Sequence, residues 1–341
     1  MTTLAGSEID EKYSGFSIIQ ADYKKIGEHG IRADVLIPNS VPGGKRPVIL
    51  RFHGGGLVLG DSLFPLWFPE WALDLAQQKS AIIVSANYRF LPEATGVDIL
   101  TDIDDFWTWV HSSELAHLLS SHPSSNGSPI ELDLDRCLAA GDSAGGLLSV
   151  YLGLSHAEDG IRAITGSSPM LNIDPPTVYP SVQSTLLPTP PESFIDEFVG
   201  RIQPGTVVTS ENPSFANPSE RLLFFGAAFG HHRLPEFYTR DYESSTTHHD
   251  RIFQLQRLDQ PDIKLPKGGI VIVHGEQDDI VAVESSHRFI NKVRERFHGQ
   301  PGEDKVVLHV RPGGHCFDNH VHLAEPWLQD TLKDAVAAWL E

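Results

Sequence analysis

Residues 141–146 read Gly-Asp-Ser-Ala-Gly-Gly. They follow the small apolar run Cys137-Leu138-Ala139-Ala140 and lead into Leu147-Leu148-Ser149-Val150-Tyr151-Leu152. This pattern predicts a buried strand that reverses sharply into a helix, with Ser143 at the apex. A Cβ at position 141 or 145 would crowd such a turn, which accounts for glycine at both. The fold must therefore end a strand at the top of a sheet and start a helix beneath it. In that place the Ser143 hydroxyl is exposed, with a helix N-terminus behind it.

The rest of the chain supplies the sheet. Residues 16–24 and 31–37 read as two strands around a turn at Gly27–Gly30. Val48-Ile49-Leu50-Arg51-Phe52 is a short apolar strand running straight into His53-Gly54-Gly55-Gly56. Residues 70–79 suit a helix, 81–85 a buried strand and 98–111 an aromatic amphipathic helix, followed by a polar loop over 120–129. Further strands are expected at 161–167, 270–274 and 306–310, and an amphipathic helix at 325–340. Strands alternating with helices predict an α/β fold with a mostly parallel central sheet covered on both faces. The stretch from 172 to 262 breaks this rhythm. It is rich in proline and aromatics, and a structureless loop of that length would be abnormal. It is read as a helical cap over the strand ends, where open sheets carry their sites. The expected organisation is a core in two parts, 25–171 and 263–341, with the cap, 172–262, between them and residues 1–24 as a candidate addition to the cap.

A serine hydroxyl is a weak nucleophile at neutral pH and needs a base, which in turn needs an orienting partner. His315 lies just after the strand at 306–310, and Gly313-Gly314 let its loop swing the imidazole inward. Asp278 lies just after the strand at 270–274, with Asp279 beside it as the rival carboxylate. Nucleophile, acid and base then follow in the order Ser143, Asp278, His315. In such a triad the histidine takes the serine proton and returns it to the leaving group, while the carboxylate fixes the tautomer. Backbone N–H groups of Gly54, Gly55 and Ala144 are the expected oxyanion donors. His53 either holds this loop through a hydrogen bond or packs beneath it, and Tyr88, Arg89 and Glu93 read as scaffold.

Together, His53–Gly56, Gly141–Gly146, the Asp278 segment and His315 resemble the hormone-sensitive-lipase-like branch of the α/β-hydrolase fold. Asn87-Tyr88-Arg89-Phe90-Leu91-Pro92-Glu93 is similar to that family's Tyr-Arg-Leu-Ala-Pro-Glu stretch, with Phe90-Leu91 in place of Leu-Ala. Asp102 and Trp109 fit the helix that follows. The resemblance covers about 30–170 and 262–341 and fades in the cap. It departs at Asp279-Ile280-Val281, where the family often carries Asp-Pro-Leu, and at the pairs His231-His232 and His248-His249. It implies a helical cap and carboxylic ester hydrolysis, often of short or medium acyl groups, with amides, lactones and elaborate natural products also within the family's range. The alternatives left open are an amidase, thioesterase, lactonase or acyltransferase using the same residues. Of another class, there is a non-catalytic small-molecule binder on this scaffold, against which the presence of His315 argues.

The formal charge of −19 argues against nucleic-acid and anionic-lipid partners. No segment approaches the roughly 20 apolar residues of a membrane helix, so no membrane insertion is expected. The 17 histidines raise the question of metal. Neither His315, His320 and His322 nor the two pairs have ligand spacing with an acidic partner, and Gly54–Gly56 lacks the continuation of a phosphate loop. No cofactor is expected. The partner is a small-molecule ester, and the chain is either a monomer or a homodimer. Only Cys137 and Cys316 occur, too few for a disulfide framework. With no signal core at the N-terminus, they favour a cytoplasmic setting.

Overall fold

The computed structural model describes residues 11–173, 187–242 and 251–341. Eight strands form one sheet in the order β1-β2-β4-β3-β5-β6-β7-β8: β1 Phe16–Ile26, β2 His29–Pro38, β3 Gly44–Phe52, β4 Ile82–Ala86, β5 Ile130–Asp142, β6 Ile161–Ser167, β7 Ile270–Gly275 and β8 Val307–Arg311. β1 and β2 are antiparallel to each other, and β2 is antiparallel to β4. From β4 through β3 to β8 every pairing is parallel. Parallel strands need crossovers, and the crossover helices bury both sheet faces, so the buried stretches Val48–Leu50, Ile82–Val84, Cys137–Ala140 and Ile270–Val273 are apolar.

Alternate residues divide between two cores. Val48, Leu50 and Phe52 of β3 join the face covered by α2 (Gly96–Val110), α4 (Ala144–Ser155) and α9 (Val283–Arg296). Ile49, Leu138 and Ala140 join the opposite face, covered by α1 (Glu70–Lys79) and α10 (Pro326–Leu340). α2 starts where Thr95 and Asp98 exchange side-chain-to-backbone bonds in a capping box.

The expected strands and helices are present within a few residues, with three additions. α3, Ser113–Ser120, begins where the Ser112 side chain accepts from Leu115 N–H. α9 carries Phe289, Ile290 and Val293 on one buried stripe. β5 begins at Ile130 because its first residues pair with Gly44–Arg46 of β3.

Between β6 and β7 lie four helices that make a cap region: α5 Ser193–Val199, α6 Glu220–Gly230, α7 Leu234–Tyr238 and α8 Gln254–Arg257. Phe198 stacks on Phe224 and Phe237 meets Phe224 edge to face there, with centroid separations of 4.6 and 5.4 Å, so part of the aromatic content is the cap's own core. His231 at the end of α6 bonds to the Pro190 carbonyl at 3.0 Å. His248-His249 and residues 1–10 lie outside the described residues. Among the described residues no helix is long and apolar enough to cross a membrane.

Candidate active site

Ser143 follows the last residue of β5 with φ 52° and ψ −117°, and Ala144 opens α4. A non-glycine residue at such a φ is strained, and strain of this kind concentrates at functional sites. The strain is held from both sides. Ser143 N–H donates to Ser167 O at 2.8 Å, and Met170 N–H donates to Ser143 O at 2.9 Å. A Cβ at Gly141 would fall 2.0 Å from Gly145 O, and one at Gly145 would fall 2.1 Å from Phe52 O. The turn and the end of β3 therefore interlock through backbone, with no room for a side chain.

The end of β3 delivers the second element. Gly54 abuts the serine, since a Cβ there would lie 3.2 Å from Ser143 Cβ. Gly55 and Gly56 have φ of 107° and 63°, open to glycine. This loop turns its carbonyls away from Ser143. Gly55 O accepts from Val58 and Leu59 N–H, and Gly54 O accepts from His53 Nδ1–H at 2.7 Å. Among the described residues nothing accepts from the N–H of Gly54 or Gly55. Ala144, as the first residue of α4, has no intrahelical acceptor for its own N–H. His53 is fully buried, stacks on Tyr88 with centroids 4.5 Å apart, and has its pKa pushed down to about 4 by burial. It both packs and holds the loop.

His315 and Asp278 meet across the ends of β8 and β7. His315 Nδ1–H donates to Asp278, at 2.8 Å to Oδ2 and 3.0 Å to Oδ1. Asp278 Oδ1 also accepts from Ile280 and Val281 N–H at 2.9 and 2.8 Å. Burial alone would raise this carboxyl. Bonds from His274, His315 and Val281 N–H outweigh it and hold Asp278 well below the usual carboxylate range. Gln277 staples the two loops, accepting from Gly313 N–H at 2.7 Å and donating its own N–H to Gly313 O at 2.9 Å. The residue after the base, Cys316, donates its N–H to Ser168 Oγ at 3.2 Å. The histidine loop and the serine turn thus dock on neighbouring residues of one segment. Among the described residues Ser143 Oγ has no hydrogen-bond partner, a common state before substrate tightens such a site.

Two contributors were not singled out from sequence. Arg51, two residues before the glycine loop, forms a buried ion pair with Asp142 at 2.7 Å and lies over the Phe68 ring at 4.0 Å. Burial raises Asp142 to about 6 despite this pair. Arginine in an otherwise apolar strand was the available signal. His274, four residues before Asp278, is the other; a histidine at the end of a buried strand marked it. Among the described residues no three His, Cys, Asp or Glu side chains group to hold a metal.

Residues 49–212 match a family model described as the alpha/beta hydrolase fold. The chain is 30% identical over 344 residues to the probable carboxylesterase M8 of Phoma sp., covering 97% of this chain and 98% of that relative. It is 37% identical over 154 residues to the probable carboxylesterase clz11 of Cochliobolus lunatus, covering 43% of this chain and 68% of the relative. Among solved structures it is similar to esterase B of Lactobacillus rhamnosis, with a TM-score of 0.56, 15% identity and coverage of 98% and 91%. An esterase of Pyrobaculum calidifontis gives a TM-score of 0.56 at 18% identity, with coverage of 98% and 90%.

Proposed function

Since the chain belongs to the hormone-sensitive-lipase-like carboxylesterase family of the α/β-hydrolase fold, we propose that it hydrolyses small to medium, largely apolar carboxylic esters through an acyl-enzyme on Ser143. Ser143 Oγ attacks the ester carbonyl carbon while its proton passes to His315 Nε2. The carbonyl oxygen, now negative, is received by the N–H groups of Gly54, Gly55 and Ala144. The carbonyl re-forms, the C–O bond to the alcohol breaks, and the proton moves from His315 to the departing alkoxide. Water then attacks the acyl-enzyme, giving its proton to His315, and the acid leaves as Ser143 recovers its hydrogen. Asp278 holds the Nδ1–H of His315 throughout, keeping Nε2 free to accept and steadying the imidazolium. No step calls for a metal or an organic cofactor.

What carries this reading is Ser143, strained at φ 52° beside unengaged N–H groups of Gly54 and Gly55, while the base and acid pair at 2.8 Å across adjacent strand ends. The cap supports an apolar ester, because Phe225 of α6 lies against the glycine loop. A Cβ at Gly56 would fall 2.1 Å from its ring. Both cysteines are unpaired thiols, which supports placing the chain in a reducing, cytoplasmic setting.

The test is a panel of p-nitrophenyl acyl esters with a fluorophosphonate, run on wild type, Ser143→Ala and His315→Ala. We expect one covalent adduct on Ser143, and hydrolysis lost in both variants while each stays folded by circular dichroism. Undiminished turnover in Ser143→Ala would refute the assignment.

A further inference from the structure

We propose that His274 is a positioning residue for the reaction: it holds the same Asp278 carboxylate oxygen that faces His315 and so fixes the orientation of the catalytic base. This rests on the serine-hydrolase reading above.

His274 lies on β7 with no exposed surface. Its Nε2 is 3.1 Å from Asp278 Oδ2 and 2.8 Å from the Val281 carbonyl. Both neighbours accept only, so Nε2 carries the hydrogen, shared between them. Nδ1 is 2.8 Å from Ser286 Oγ on α9. With the hydrogen on Nε2, Nδ1 accepts there and the Ser286 hydroxyl donates. The tautomer is set by contacts on both sides. A polar chain then runs from Ser286 to His274 to Asp278 Oδ2, the oxygen to which His315 also donates.

The geometry gives this chain a task. Asp278 follows a turn rather than standing on a strand, and its side chain has torsions to fix. Backbone N–H groups of Ile280 and Val281 hold Oδ1. Oδ2, the oxygen nearer His315 at 2.8 Å, is also held by His274, whose Nε2 lies 3.1 Å away. Without that bond the carboxylate keeps its turn contacts but can rotate about them, and the imidazole loses its fixed aim at Ser143. His274 also draws charge from Oδ2. Removing it leaves more of the carboxylate's charge to hold the proton on His315.

Two substitutions separate a positioning role from a merely structural one. Gln places an amide N–H near the position of imidazole Nε2, whereas Leu fills the site with no donor. His274→Leu should lower kcat by about 10- to 100-fold, the upper figure being typical of a misplacement of about 1 Å, with KM little changed. The acid limb of its kcat/KM profile should move to higher pH. His274→Gln should recover most of kcat and return the limb toward wild type. Fluorophosphonate titration counts the competent Ser143 sites, so misfolded protein is not scored as slow enzyme. On wild-type protein, ¹⁵N spectra of labelled histidines should show His274 carrying a hydrogen on Nε2. That readout depends on no variant folding.

Wild-type kcat in His274→Leu, equal losses in Leu and Gln with an unmoved acid limb, or an Nδ1–H tautomer would each overturn the proposal. A catalytically competent Ser143→Ala control would instead overturn the reading beneath it.

Discussion

Arg221 on α6 is where the cap grips the core, and Arg221→Met tests that grip. Its guanidinium is buried and donates to the carbonyls of Val58 and Leu91 at 3.2 and 3.0 Å. It also pairs with the Glu93 carboxylate, whose side chain is only 5% exposed. Val58 follows the glycine loop, so one side chain binds cap, glycine loop and the Asn87–Glu93 stretch together. Methionine keeps much of the volume and removes every donor. Glu93 is then a buried carboxylate without its cation, and its Oε2 already lacks a partner. Breaking a buried pair from one side costs about 3–5 kcal/mol. With about 2 cal/mol/K of unfolding entropy per residue, a loss of ~4 kcal/mol in a chain of 341 residues lowers Tm by about 6 °C. Thermal melts followed by fluorescence read this directly. The decisive comparison is Arg221→Met with Glu93→Leu. Removing both charges removes the stranded carboxylate, so the double variant should melt at least 3 °C above Arg221→Met. A double variant no more stable than the single one would refute the argument that the ion pair, rather than the arginine's packing, sets the cost.

Two buried groups titrate in opposite senses. Asp142 is raised to about 6, chiefly by burial, so the stability tied to its proton is full below about pH 4 and is lost as pH rises through 6. Asp142→Asn removes that slope, and urea melts should show the variant gaining about 3 kcal/mol relative to wild type between pH 4 and pH 7.5; a pH-independent difference would contradict this. His53, lowered to about 4 by burial, contributes stability present above about pH 6.5 and lost as pH falls through 4. His53→Asn should therefore lose stability less steeply than wild type below pH 6.5, seen in the same melts. Gly145→Ala, whose Cβ would lie 2.1 Å from Phe52 O, should abolish ester turnover or folding, whereas Gly314→Ala, with nothing within 4 Å of the new Cβ, should leave Tm unchanged.

The sheet was legible because its signals are local. Val48–Leu50, Ile82–Val84 and Ile270–Val273 are apolar runs, and a strand buried on both faces leaves that trace in sequence. Ser143, Asp278 and His315 were legible for a related reason. Each lies just past a strand end, and the parallel order of β5, β6, β7 and β8 brings those ends to one edge of the sheet. Asp278 and Asp279 could not be told apart in sequence because one residue's difference in a turn changes the direction of the side chain. The bonds from His315 and His274 identify the carboxylate that faces them as Asp278.

The cap was legible as a composition and not as a surface. Phe198, Phe224 and Phe237 pack inside it, while Phe225, next in the chain to Phe224, lies against Gly56. Adjacent residues on a helix face different directions, about 100° apart, so which phenylalanine meets the site depends on how α6 is rotated. That rotation is set by Arg221, whose partners Val58, Leu91 and Glu93 lie 128–163 residues away in sequence. Long-range pairing of this kind leaves no periodic trace. The phenylalanine that meets the glycine loop is therefore placed by the same buried arginine that joins cap to core, and loosening it should broaden acyl preference as well as lower Tm. The p-nitrophenyl panel run on Arg221→Met reads that preference, and an unchanged ratio of long- to short-chain kcat/KM would break the link between the ion pair and the pocket.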